Sequence, residues 1–136
     1  MTSLVAQVST FAGLNLNKPR IMGIVNVTPD SFSDGGEALR IEDALKRGRA
    51  MREAGADILD IGGESTRPGA DPVSVDEELA RVLPVIEGLA GEGALVSIDT
   101  RRAAVMRMAI EAGAKIVNDV TALTGDDNSM DVVASA

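Results

Sequence analysis

Four short apolar runs rich in β-branched residues constrain the fold of this 136-residue chain more than any other feature. The runs are Ile21–Val27, Ile58–Ile61, Leu95–Ile98 and Ile116–Val120. Each run is apolar on both faces except near its ends, which is typical of parallel strands covered on both sides. Helix-like patterns separate the runs, and the order β-α-β-α-β-α-β requires a parallel sheet with right-handed crossovers.

The helix-like patterns carry their own start and stop signals. Ser74, followed three residues later by Glu77, forms a capping-box signature in front of one apolar stripe. Pro84 lies inside that stripe and predicts a kink or an interruption of the helix. Gly55 and Gly113 are the predicted ends of the helices that precede the second and fourth runs.

Two architectures fit this order of elements: an open doubly wound sheet and part of a (β/α)8 barrel. A complete barrel takes about 250 residues, so four strands in 136 residues come close to half of one. The residues from Asp131 onward have the pattern of a fourth helix without a stop signal. We therefore expect an α/β fold made of parallel (βα) units of a TIM (β/α)8 barrel, roughly its first four strands, in a truncated chain. Residues 1–20 are predicted to be an N-terminal extension or short hairpin, and residues 21–136 the half-barrel.

Composition excludes several classes of function for this chain. It contains no His and no Cys, which excludes a Ser-His-Asp triad, a disulfide and a zinc site built on imidazole or thiolate ligands. A formal net charge of −8, two Phe and no Tyr or Trp disfavour nucleic-acid binding. No apolar run reaches the roughly 20 residues of a membrane span. We expect a cytoplasmic protein that acts on small molecules, with no nucleic-acid or membrane partner.

Polar side chains occur where each predicted strand ends. These residues are Asn26 for the first strand, Asp60 and Glu64 for the second, Asp99 for the third, and Asn118 and Asp119 for the fourth. Asp and Asn are also common caps and turn formers, so Asp60 or Asp119 taken alone is better explained as structural. The carboxyl ends of parallel strands share one edge of a sheet, however, and the repetition favours a polar ligand site there.

The loops after the first two strands add groups suited to an anionic ligand. The first loop contains Asp30, Phe32 and Asp34, and is either a turn rich in Ser, Gly and Asp or a lid. In a lid, the carboxylates would lie near a metal–phosphate group and Phe32 would cover an apolar ring. The second loop offers the hydroxyl of Thr66 and the guanidinium of Arg67, a natural partner for phosphate. The chain has no G-x-G-x-x-G or Walker motif, which disfavours dinucleotide and P-loop binding.

Two long motifs make the resemblance to a known family specific. Gly23–Gly36 (GIVNVTPDSFSDGG) resembles the first signature of the dihydropteroate synthases, and Gly62–Gly69 (GGESTRPG) resembles the second. Ser97–Thr100 and Val117–Val120 are similar to the third and fourth strand ends of that family. The resemblance implies a (β/α)8 barrel that condenses p-aminobenzoate with 6-hydroxymethyl-7,8-dihydropterin diphosphate and releases diphosphate with the help of Mg2+. It also implies a homodimer in the full-length form.

The resemblance assigns roles to single positions. Asn26 would help to hold Mg2+ and the diphosphate. Asp99 and Asn118 would bind the pterin, because a carboxylate accepts ring N–H groups and an amide both donates and accepts. The catalytic residues that the resemblance implies are Asp30, Asp34 and Arg67. The substrate-binding residues that it implies are Phe32, Thr66, Arg67, Pro68, Asp99 and Asn118.

The chain also departs from the family. A glycine-rich loop with an Asp, a Ser-Arg-Lys segment and a terminal Arg-x-His are missing, and the absence of His is decisive for the last. We therefore expect the N-terminal half of the enzyme, incomplete and inactive alone. The alternative is a non-catalytic half-barrel that binds pterin weakly or assembles through its open sheet edges. A related pterin-binding methyltransferase barrel is a more distant alternative, because residues 28–36 carry the aminobenzoate-loop signature.

Overall fold

The computed structural model describes residues 10–28, 36–64, 72–121 and 123–136. Within these residues, ten elements follow one another along the chain. The strands are β1 (Thr10–Phe11), β2 (Leu14–Asn15), β3 (Met22–Asn26), β4 (Ile58–Gly62), β5 (Val96–Asp99) and β6 (Ile116–Asn118). The helices are α1 (Gly36–Glu53), α2 (Val75–Gly91), α3 (Ala103–Ala112) and α4 (Ser129–Ser135). None of these helices has both the length and the hydrophobicity that crossing a membrane requires.

Strands β3 to β6 form one parallel sheet in the order β3-β4-β5-β6. A helix follows each strand, so the expected α/β fold of parallel (βα) units is confirmed. The observed strands lie inside or within one residue of the four apolar runs. Among the described residues, β3 and β6 are the edges of this sheet, which forms an open part of a barrel and not a closed one.

The two faces of the sheet differ in character because side chains alternate along a strand. Val25, Ile61 and Ile98 are fully buried and belong to the apolar core between the sheet and the helices. The opposite face carries polar side chains in its central strands, including Asp60 and Ser97, which are also buried. A core covers one face, therefore, and polar groups collect on the other.

Helices α1 and α2 approach closely through glycines. A Cβ atom at Gly48 would lie 2.8 Å from Cδ1 of Leu89, and one at Gly88 would lie 2.6 Å from Cδ2 of Leu45. Each glycine therefore makes room for a leucine of the other helix. This packing anchors the two helices that follow β3 and β4 behind the sheet.

The helix signals in the sequence are mostly confirmed. Ser74 caps α2 by accepting a hydrogen bond from the backbone N–H of Glu77 (3.1 Å), and Gly113 ends α3 with a φ of +125°. Of the two predicted effects of Pro84, an interruption is wrong, since α2 runs through it from Val75 to Gly91, and a kink stays a prediction. Packing of the apolar face of α2 against the core outweighs the one backbone hydrogen bond that a proline removes.

A small hairpin precedes the sheet. β1 and β2 pair antiparallel around Ala12 and Gly13, whose positive φ values of 50° and 84° suit a tight two-residue turn. Arg20 donates a hydrogen bond from Nε to the carbonyl oxygen of Asn15 (2.6 Å) and forms an ion pair with Asp57 (3.2 Å). These contacts join the hairpin to the start of the sheet. The boundary at residue 20 stays a prediction.

Candidate active site

The polar residues at the strand ends lie in one row across the sheet. In the strand register, Asn26 pairs with Gly62, Gly62 with Asp99, and Asp99 with Asn118. Residues in register project to the same side of a parallel sheet. The structure thus places three predicted site residues, Asn26, Asp99 and Asn118, side by side at its carboxyl end.

The missing side chain at Gly62 lets two of these residues converge. A Cβ atom at this position would lie 3.4 Å from Oδ2 of Asp99 and 3.6 Å from Oδ1 of Asn26. Arg47 of α1 donates a hydrogen bond to the carbonyl oxygen of Asn26 (2.9 Å) and so fixes the end of β3. An amide oxygen and a carboxylate oxygen therefore both lie close to the Gly62 backbone, where no side chain separates them from a ligand.

A second polar row lies one pleat below the first. Asp60 pairs in register with Ser97, and its Oδ2 accepts a hydrogen bond from Nδ2 of Asn118 (3.1 Å). Within the described part of the chain, Oδ1 of Asp60 and Oγ of Ser97 are buried without a hydrogen-bond partner. Burial raises the pKa of Asp60, and the neighbouring Ser97 hydroxyl and the Asn118 amide oppose that change. Asp60 thus orients the Asn118 amide through Oδ2, while its Oδ1 accepts no hydrogen bond from the described residues.

The carboxyl group of Asp99 is electrostatically perturbed. Burial, together with the negative charges of Asp60, Glu78 and Asp119, raises its pKa to about 6. An acid with this pKa is mostly ionised at neutral pH, but its charge is poorly compensated by the protein. Such a carboxylate is suited to accept hydrogen bonds from a ligand's N–H groups.

Asp119 has a local structural role. Its carboxylate accepts hydrogen bonds from the backbone N–H and the hydroxyl of Thr121 (both 2.8 Å) and from the backbone N–H of Leu123 (3.1 Å). It therefore shapes the loop after β6. A cavity of about 370 Å³ opens beside this loop, and its lining includes Asn118 and Val133.

An ion cluster at the end of β4 was not predicted from the sequence. Arg102 donates hydrogen bonds to Glu64 (3.0 Å) and to Glu78 (2.9 Å), and Arg101 contacts the other oxygen of Glu64 (3.1 Å). One signal could have revealed it: Glu78 lies on the apolar stripe of α2, next to Leu79, where a charged residue needs a partner. Its partner Arg102, the residue before α3, carries no comparable signal.

The two loops that carry the other predicted residues lie outside the described residues. These predictions are Asp30, Phe32 and Asp34 after β3, and Thr66, Arg67 and Pro68 after β4. Their assignments stay predictions. Among the described residues, no group of three or more Asp, Glu, His or Cys side chains is arranged to hold a metal ion.

Comparison with known proteins identifies relatives over nearly the same span. Residues 22–136 match the family described as pterin binding enzyme. The dihydropteroate synthase of Escherichia coli K12 is 52% identical over 112 residues, which cover 82% of this chain and 40% of that protein. A probable bifunctional folylpolyglutamate synthase/dihydropteroate synthase of Halobacterium salinarum is 61% identical over 115 residues, which cover 85% of this chain and 14% of that protein.

Solved structures show the same likeness in three dimensions. Xanthomonas albilineans dihydropteroate synthase with 4-aminobenzoic acid superposes with a TM-score of 0.84 at 55% identity, covering 90% of this chain and 45% of that one. The same enzyme in complex with 7,8-dihydropteroate gives 0.78 at 50% identity, covering 90% and 44%. The chain thus spans less than half the length of these relatives, and its sheet corresponds to part of their TIM barrel. By its sequence and its fold, the chain belongs to the pterin binding enzyme family.

Proposed function

We propose that the chain is part of a dihydropteroate synthase, a transferase of folate biosynthesis. The reaction condenses p-aminobenzoate with 6-hydroxymethyl-7,8-dihydropterin diphosphate and releases diphosphate. The observation that carries the proposal is the row of Asn26, Asp99 and Asn118 across the carboxyl ends of β3, β5 and β6. The family match and the similarity to dihydropteroate synthases support it.

Asp99 and Asn118 are proposed to bind the pterin ring. An ionised Asp99 accepts hydrogen bonds from ring N–H groups, and its uncompensated charge makes that contact favourable. Asn118 donates one N–H to Asp60, which fixes the amide plane and leaves Oδ1 and the second N–H for the ligand. Buried Asp60 thus acts on the ligand through Asn118.

The remaining roles concern the two loops. We propose that Thr66 and Arg67 contact the diphosphate or the aminobenzoate. Asp30 and Asp34 are assigned to steadying the metal or the developing positive charge, and Phe32 and Pro68 to lining the aminobenzoate pocket. Stabilisation of the leaving diphosphate would then dominate catalysis.

Mg2+ is the proposed cofactor, and the donor set fits it. Mg2+ is usually held by one or two protein oxygens together with waters and substrate phosphates. The exposed amide oxygen of Asn26 is such a donor at the rim of the site, and the carbonyl contact from Arg47 fixes its strand. When bound, the ion would neutralise charge on the diphosphate.

One observation favours a second candidate, a half-barrel that assembles through its sheet edge. Ile21 and Ile24, at the edge strand β3, are 59% and 57% exposed, and Met22 between them is 41% exposed. Exposed apolar side chains on an unpaired edge promote strand association. Sedimentation separates the two candidates, because an exclusively monomeric chain that binds pterin would contradict assembly as its role.

Titration calorimetry with 7,8-dihydropteroate tests the proposed function. We expect the chain to bind this ligand, and Asp99→Asn to lower the affinity at least about tenfold through loss of a charge-assisted hydrogen bond. The matched control is Glu92→Gln after α2, whose exposed carboxylate pairs with Arg49 at the opposite end of the sheet. No binding by the unaltered chain, or equal losses in both variants, would contradict the proposal.

A further inference from the structure

We propose that Glu64, Arg102 and Glu78 form a brace that positions the ends of β4 and β5 for ligand binding. We call these three residues the brace. Arg102 is its central positioning residue and has no direct contact with the ligand in this proposal. The inference rests on the proposed function, because the site that it positions is the pterin site.

The brace is built from one buried and two partly buried side chains on three separate segments. Glu78, on the first turns of α2, is 1% exposed, Glu64 after β4 is 10% exposed, and Arg102 before α3 is 20% exposed. The guanidinium spans both carboxylates, at 3.0 Å from Glu64 and 2.9 Å from Glu78. Its rigid planar fork sets the directions of both contacts, which a single-point cation could not do.

Two residues of the brace, Glu64 and Arg102, lie close in sequence to residues of the proposed site. Glu64 follows Gly62 by two residues, and Arg102 follows Asp99 by three. The backbone N–H of Arg102 donates to Oγ of Thr100 (3.2 Å). The backbone N–H of Thr100 donates in turn to the carbonyl oxygen of Asn118 (3.1 Å). A shift of Arg102 would therefore be transmitted to the row that we assign to the pterin.

The brace also joins the chain on both sides of the loop after β4. The carboxylate oxygen of Glu64 that meets Arg102 also accepts a hydrogen bond from the backbone N–H of Val73 (3.1 Å). Glu64 thus ties the exit of β4 to the segment that enters α2. Arg102 adds the start of α3 to this connection.

A contribution to the stability of the fold does not by itself explain a charged cluster such as the brace. Removing charges from water is costly, and well-packed apolar side chains often stabilise a protein as much as a buried ion pair does. What the charged cluster adds is a fixed geometry between three segments. Because those segments lead to Gly62, Asp99 and Asn118, the geometry matters most at the site.

The test uses a double variant that removes Arg102 together with the fully buried Glu78, while Glu64 keeps its ion pair with Arg101 (3.1 Å). In Glu78→Leu/Arg102→Met, we expect an unchanged denaturation midpoint but an affinity for 7,8-dihydropteroate that falls on the order of tenfold, since small misplacements weaken such sites strongly. Arg102→Lys, which keeps the charge but loses the fork, is expected to give a smaller loss. The matched control is Arg49→Met/Glu92→Leu, a bidentate pair between α1 and the end of α2. A stable double variant that binds like the unaltered chain would overturn the proposal.

Amide hydrogen exchange at Val73 separates failure of the brace from failure of the proposed function. Without Arg102, Glu64 keeps only the contact of its other oxygen with the half-exposed Arg101 (3.1 Å). The Val73 amide should therefore exchange about tenfold faster while amides inside α2 keep their rates. Unchanged exchange at Val73 overturns the brace whatever the ligand does. Faster exchange in a chain whose unaltered form binds no pterin supports the brace and contradicts the function assigned to its site.

Discussion

Arginine–carboxylate pairs occur at both ends of the α/β layers, and their surroundings differ sharply. At the carboxyl end of the sheet, Arg102 lies between Glu64 and Glu78, all three largely buried. At the opposite end, Arg49 of α1 and Glu92 at the end of α2 are 49% and 41% exposed. Arginine–carboxylate ion pairs are therefore largely shielded from water at one end and exposed to water at the other.

The comparison shows where this fold contains buried charged and polar groups that reduce its stability. Exposed ion pairs add little to stability and cost little when lost, because water screens them. Buried charges are expensive, and so are polar atoms without partners such as Oδ1 of Asp60 and Oγ of Ser97. These groups collect at the carboxyl end of the sheet, next to Asp99 and Asn118, as expected where a ligand completes the polar contacts.

The largest effect is expected from breaking the buried pair alone. Arg102→Met leaves Glu78 buried without its partner, and we expect a loss of about 3–5 kcal/mol in the free energy of unfolding. Arg49→Met, which breaks the exposed pair, should shift the denaturation midpoint far less. Urea denaturation of both variants checks the comparison, and equal shifts would show that burial does not distinguish the two ends.

Gly63→Ala probes side-chain packing at the carboxyl end of the sheet. A Cβ atom at Gly63 would lie 2.9 Å from Cγ1 of Val82 and 3.3 Å from the carbonyl oxygen of Glu78. Gly63→Ala must therefore push β4 away from α2, and we expect a loss of about 1–3 kcal/mol by urea denaturation. A fully stable variant would show that this end of the sheet relaxes easily.

The pKa of Asp99 predicts a pH dependence of ligand binding. Its value of about 6, raised by burial and by nearby carboxylates, means that the binding-competent anion is lost as pH falls through 6. Affinity for 7,8-dihydropteroate should be about tenfold lower at pH 5 than at pH 8. Asp99→Asn should remove this dependence, and calorimetry across this range measures it. A pH-independent affinity in the unaltered chain would contradict the role of Asp99.

The same pKa has the opposite consequence for stability. Between pH 3.8 and about pH 6, Asp99 is protonated in the folded chain and ionised in the unfolded chain. The free energy of unfolding therefore decreases as pH rises through this range. Asp99→Asn should therefore unfold at a higher urea concentration than the unaltered chain at pH 7. A lower midpoint would indicate that the carboxylate is compensated in the folded protein.

The smallest effect is expected at the solvated end. Gly91, the last residue of α2, has no atom within 4 Å of a Cβ position and does not need a positive φ. Gly91→Ala should stabilise the chain by about 0.5–1 kcal/mol, because it restricts the unfolded state. Thermal unfolding checks the sign, and destabilisation would mean that this end is more tightly packed than its exposure indicates.

Local patterns were sufficient to predict much of the fold. The β-branched runs located the four parallel strands, and Ser74 and Gly113 marked helix ends, because each signal depends on a few neighbouring residues. The interruption that Pro84 allowed does not occur, because local propensity disfavours proline inside a helix whereas core packing maintains α2. Asn26, Asp99 and Asn118 were identified by their positions at strand ends, and their roles toward a ligand stay predictions.

The sequence by itself determined the alternation of strands and helices and the polar residues at the strand ends. Only the tertiary structure decided that Asn26, Gly62, Asp99 and Asn118 share one row, because register is set by packing between strands. It also decided that Arg102 meets Glu78, 24 residues earlier in the chain, and Glu64, 38 residues earlier. Such pairs have no local signature: they form because the folded core brings the two segments together and excludes the water that would otherwise solvate the charges.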